Sequence, residues 1–93
     1  MNKCLKVVIR AQFPADFLSD FVQKQAKKLN LEGTAQTMPG ENHILLKVCG
    51  DVDDLDQFID AVHKALLKHS LIDIEIEPFL RDKDYRNVFR ILE

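Results

Sequence analysis

The hydrophobic periodicity of this chain switches between two values in a fixed order, and that order leaves few folds open. Residues 71–77 (LIDIEIE) alternate strictly, with Ile72, Ile74 and Ile76 on one side and Asp73, Glu75 and Glu77 on the other. A period of two with one apolar side predicts a half-buried strand. From about Ala15 to Asn30 the period lengthens: Phe17, Leu18, Phe21, Val22, Ala26 and Leu29 recur every three or four residues. That is one face of an amphipathic helix. A second stripe of Leu55, Phe58, Ile59, Val62, Leu66 and Leu67 predicts another, running from Asp51 to about His69.

The remaining segments read as strands and breaks. Residues 3–9 (KCLKVVI) concentrate β-branched side chains at Val7, Val8 and Ile9, and the following RAQFPAD breaks at Pro14. Residues 32–38 (EGTAQTM) form a weaker strand, and Pro39-Gly40-Glu41-Asn42 is a turn signal. In HILLKVC, Ile44, Leu46 and Val48 share one face while Leu45, Lys47 and Cys49 share the other, which completes a hairpin. Pro78 ends the alternating strand, RDKDYRN is a polar loop, and VFRIL (88–92) predicts a short C-terminal edge strand.

The order is therefore β-α-β-β-α-β with one strand added. Two helices on one face of an antiparallel sheet make an α+β, ferredoxin-like sandwich. Its 93 residues suit a single domain over 1–93, and 46% hydrophobic with 30% charged residues is ordinary globular composition.

Net charge is −2, unevenly spread: residues 1–30 hold six Lys or Arg against two Asp, leaving +4 there and −6 in the rest. A basic third suggests an anionic ligand, but helix electrostatics accounts for much of it. Lys24, Lys27 and Lys28 fall at the end of the first helix, and Lys64 and Lys68 at the end of the second. Asp16 opens the first, and Asp51, Asp53, Asp54 and Asp56 open the second. All sit where they oppose the macrodipole.

Several functional classes are disfavoured. The apolar run Leu5–Ile9 is interrupted by Lys6 and closed by Arg10, too short for a signal peptide, and no run reaches a membrane span. A cytoplasmic location is the default, and Cys4 and Cys49 are expected as reduced strand thiols. His63 and His69 are six apart on different faces and the Asp51–Asp60 cluster lacks the Gly and Glu of a calcium loop, so neither metal nor cofactor is expected. The candidate central strands carry no aromatic residue, which with net acidity argues against nucleic acid. Phe13, Phe79 and Tyr85 lie in loop-like segments, where with Leu80 they predict either an exposed protein-binding patch or a small core under the loops.

Two stretches resemble the acylphosphatases, small enzymes that hydrolyse acyl phosphates. FVQKQAKKLNLEG (21–33) is similar to that family's first helix and the Leu-Gly-Leu-x-Gly leading into its second strand, with Asn30 in place of the first Gly. VCGDVDDLDQFIDAVHKAL is similar to its third strand, ending in Gly, and second helix. The family's V-x-G-x-V-Q-G-V-x-F-R motif cradles a phosphate on backbone N–H groups at a helix N-terminus and anchors it with the Arg. An Asn on the next strand positions the attacking water. Here the corresponding segment is VIRAQFPADFLS. The Arg position falls on Leu18 counted forward from the strand, or on Ser19 counted back from Leu29-Asn30-Leu31; the Asn position falls on Thr37. The cradle has no Gly, Pro14 removes an N–H from it, and Asp16 and Asp20 bring carboxylates to it.

The resemblance thus implies an acylphosphatase-like scaffold without the family's hydrolysis, serving as a binding or interaction module for a protein or a small anionic ligand. One alternative is a hydrolase with a relocated site around Arg10, Gln12, Ser19 and Thr37. Another is a structural or regulatory homodimer joined through an exposed sheet edge or the C-terminal strand; the chain is expected as a monomer or a homodimer.

Overall fold

The computed structural model describes residues 2–12, 16–38, 43–68, 71–80 and 85–92, the side chains of 71 and 72 excepted. The expected strands at 3–9, 32–38, 43–49 and 71–77 form as β1 (Asn2–Ala11), β2 (Glu32–Met38), β3 (His43–Asp51) and β4 (Leu71–Pro78), with β5 (Phe89–Leu92) last. β1 is longer than its β-branched run because β3 and β4 flank it on both sides, pairing with it as far as Arg10 and Ala11 respectively. Pro14, the Pro39–Asn42 turn, His69 and residues 81–84 lie outside the described residues.

The first helix begins with a π-wound turn, Leu18–Val22, that runs into α1 (Gln23–Lys28). Its stop at Asn30 has a clear cause. Asn30 takes a left-handed φ of 56°, Leu31 N–H donates to the Ala26 carbonyl at 2.9 Å, and Asn30 N–H donates to Lys27 at 3.2 Å. This is the αL closure of a helix end with Asn where Gly is usual. α2 (Val52–Leu66) opens on Asp51, whose carboxylate accepts from Asp53 N–H at 3.0 Å. That contact satisfies one of the orphan donors of the first turn.

The sheet order is β4-β1-β3-β2-β5. Four strands pair antiparallel, but β5 runs parallel to β2, with Gly33 opposite Phe89 and Thr34 opposite Arg90. The sheet is therefore mixed rather than antiparallel throughout, because the chain must cross from one edge to the other between β4 and β5.

α2 packs on β1 and β3, and α1 packs beside it and against β5. Between helices and sheet lie Val7, Ile9, Ile44, Leu46 and Val48, met by Val22, Ala26, Leu55, Phe58, Val62 and Leu66. Phe89 joins from the far edge, its ring tilted on Phe58 with centroids 6.3 Å apart. Two expected core positions fail for lack of cover. Ile76 is 46% exposed on the edge strand β4, and Leu67 is 63% exposed just past the end of α2.

The other face of the sheet carries a second cluster. Cys4 and Cys49 stand directly opposite in register, with Cα atoms 4.1 Å apart, and are joined as a disulfide. The expectation of two free thiols is thus corrected: composition cannot see that a one-residue choice of register sets the two side chains side by side. Buried Tyr85 and half-buried Phe79 pack on this bridge. Phe79 and Tyr85 therefore build a small core rather than a patch, Leu80 beside them is 92% exposed, and Phe13 lies outside the described residues.

Candidate functional site

The end of the sheet where β1 leads into the first helix is where the sequence resemblance places a phosphate. Ala11 is buried, Gln12 is exposed, and Asp16 lies exposed in the turn before the helix. Phe17 already has helical dihedrals and its side chain makes no cap. The Asp16 carbonyl is the first acceptor instead: Asp20 N–H donates to it at 2.8 Å, and the Ser19 hydroxyl donates to it at 3.2 Å. Ser19 is thus exposed and back-bonded to its own turn, a local competition typical of Ser near a helix start.

Leu18 is only 6% exposed and belongs to the core with Phe17 and Val22. Phe17 is further fixed by Phe21, stacked at 5.4 Å. A guanidinium at position 18 would point into hydrocarbon, and one at 19 would stand in solvent.

Strand alternation decides whether the four candidate residues can meet. Ile9 and Ala11 are buried beneath the helices, so Arg10 between them projects from the opposite, open face. There it is flanked by His43 on β3 and Asp73 on β4. Thr37 stands opposite fully buried Ile44 and so shares the helix-covered face, at its exposed end. The thickness of the sheet separates Arg10 from Thr37. Ser19 and Gln12 stay exposed near the helix start, so the four do not converge on one site.

The charge at this end is also adverse to an anion. Asp20 occupies the first turn and Asp16 precedes it. A carboxylate about 4 Å from a bound anion raises its energy by roughly 4 kcal/mol per unit charge at an effective dielectric near 20. Solvent screening reduces the size of this repulsion and leaves its sign.

Sequence reasoning missed the β5 edge of the sheet. There Thr34, Tyr85, Arg86, Val88, Arg90 and Leu92 surround a cavity between β2, β5 and the turn before β5. The alternation in VFRIL signals that Arg90 faces away from the core, but its neighbour Thr34 follows only from the parallel pairing with β2. Among the described residues, no group of three or more His, Cys, Asp or Glu side chains could hold a metal ion. No described helix is long and apolar enough to cross a membrane.

Known structures share the whole architecture. An acylphosphatase from Coxiella burnetii superposes with a TM-score of 0.83 at 20% identity, covering 98% of this chain and 93% of that one. The acylphosphatase from Bacillus subtilis gives 0.83 at 18%, covering all of both chains. Full-length HypF, in its phosphate- and nucleotide-bound form, also gives 0.83 at 19%, but only 12% of its length is covered. At such identities these likenesses speak for the fold. No curated protein sequence matches the chain. The acylphosphatase family model, however, matches residues 17–91, from the buried Phe17 at the helix start to β5, and by that match the chain belongs to the acylphosphatase family.

Proposed function

We propose that this family member does not hydrolyse acyl phosphates by the family's mechanism and serves as a small binding or interaction module. The observation that carries this reading is the state of the two residues at the expected Arg position. Leu18 is core, and Ser19 is tied to the Asp16 carbonyl at 3.2 Å. A bidentate phosphate anchor has no substitute there, because an Arg fork supplies several fixed donors and full charge. Arg10, the nearest cation that precedes it along the chain, is carried on the far face of β1. This separation from Thr37 weighs equally against the relocated hydrolase.

A cytoplasmic setting is part of the proposal only by default, and the disulfide pulls against it. Reducing compartments hold such pairs as thiols. Alkylation of protein taken directly from cells would separate the two settings. A homodimer has its own support, since β4 and β5 are both edges of the five-stranded sheet, with Ile76 and Leu92 exposed on them. Sedimentation at two concentrations tests it.

The decisive assay for the main reading is hydrolysis of an acyl phosphate such as benzoyl phosphate. The purified protein is expected to leave the buffer rate unchanged; catalytic turnover at any substantial excess over buffer overturns the reading.

A further inference from the structure

We infer that the cavity between β2 and β5 is a binding site for a small organic oxyanion, with Arg90 as its anchor. This inference stands apart from the fate of the family's hydrolysis, because the cavity lies on the open face of the sheet at its β5 edge, whereas the helix start packs on the other face.

On the open face, Lys47 of β3, Thr34 of β2 and Arg90 of β5 lie in one row across three neighbouring strands. In a chain of net charge −2 this row presents two cations around a hydroxyl. Lys47 is drawn toward the Phe79 ring, 6.0 Å from its centroid. The next cation in the row, Lys6, is paired with Glu77 at 3.5 Å. No carboxylate among the described residues pairs with Arg90, which is exposed at the cavity wall.

The second wall is a turn held in an uncommon shape. Arg86 and Asn87 both adopt left-handed φ, 55° and 56°, which non-glycine residues seldom do in succession. Four contacts fix it. Tyr85 is buried on the disulfide cluster, Asn87 N–H donates to the buried Glu32 carboxylate at 2.8 Å, Val88 N–H donates to the Tyr85 carbonyl at 3.0 Å, and Gly33 N–H donates to Val88 at 3.0 Å. Arg86, engaged within the chain, is thereby carried to the same cavity. Fixing the turn beforehand lowers the ordering that a ligand must impose.

The cavity is a half-open groove of about 360 Å³, with Val88 and Leu92 giving it an apolar side. That size suits a small organic molecule. An Arg fork beside a hydroxyl recognises phosphate or carboxylate oxygens, and the apolar side accepts the body that carries them. The shared ligand chemistry is an oxyanion on a compact apolar group.

The test is an amide NMR titration of the intact protein with phenyl phosphate, benzoate and neutral phenol. Saturable shifts at residues 33–34 and 85–92 are expected for at least one anion, with dissociation constants in the low millimolar range or tighter, at about 1 mM. Phenol should give none. Arg90→Ala should weaken binding by about tenfold and Arg90→Glu should remove it, with the remaining resonances unchanged. Preference for phenyl phosphate or for benzoate identifies the phosphoryl or the carboxylate form of the ligand. The inference fails if neither anion gives saturable shifts up to about 20 mM, if Arg90→Ala binds as well as wild type, or if the shifts gather at residues 16–20. The last outcome also reopens the helix start, while acyl phosphate turnover alone leaves the cavity untouched.

Discussion

The helix start and the β2–β5 edge invite comparison, because each combines a chain reversal with polar side chains and only one is arranged for an anion. At the helix start, Asp16 and Asp20 bring carboxylates, the Ser19 hydroxyl is bonded locally, and the position expected to carry a cation is the buried Leu18. At the β2–β5 end, Arg86 and Arg90 meet Thr34 around a cavity on a turn held by a buried carboxylate and a disulfide-backed tyrosine. The sign of the charge and the side of the backbone to which it is directed separate the two.

The largest effect is expected at Gly33, on which the β2–β5 end is built. Its φ is +143°, and any Cβ there would collide with the Lys47 carbonyl oxygen. Gly33→Val should lower stability by about 4 kcal/mol or more, as a strained backbone and a clash combine; far-UV circular dichroism and urea unfolding will report it. Next is the bridge beneath Tyr85. Replacing both Cys4 and Cys49 by Ser removes a cross-link between residues 45 apart in sequence, for which chain entropy predicts a loss of about 3–4 kcal/mol in the same unfolding experiment.

The helix-start end is probed by placing Arg at each of its two alignments. Leu18→Arg should cost about 3 kcal/mol or more, from a buried charge and lost packing. Ser19→Arg, at an exposed position, should stay within about 0.5 kcal/mol of wild type. Equal tolerance of both would contradict the assignment of Leu18 to the core. The smallest effect belongs to Asp51, at the start of α2. The Asp53 N–H favours its ionised form and holds its pKa below the ordinary 3.8. A depressed folded pKa adds stability above the unfolded value and loses it as the pH falls through the folded one. Asp51→Asn should therefore differ from wild type in thermal melts at neutral pH, with the gap closing as the pH is lowered beneath 3.8.

The elements of this fold were legible because their signals are local. Stripes at three- and four-residue spacing, an Asp cap at 51 and an Asn stop at 30 all act within a turn or two of the chain. What escaped depends on neighbours distant in sequence. The Cys4–Cys49 pair, the parallel seat of β5 beside β2 and the exposure of Ile76 each follow from strand order and register. At the candidate site the split is similar. The missing Arg was readable by alignment at 18 and 19, but only the alternation of β1 against its neighbours sends Arg10 to the face opposite Thr37. Arg90 was an unremarked polar residue in a short strand until pairing set Thr34 beside it.

The central claim is that the helix-start end has kept the family's scaffold without its chemistry. Steady-state hydrolysis of benzoyl phosphate, with wild-type protein and Ser19→Arg measured beside a buffer blank, tests it most directly. The account predicts a wild-type rate indistinguishable from the blank. Saturable wild-type turnover, abolished by substitution of Arg10 or Thr37, would contradict it.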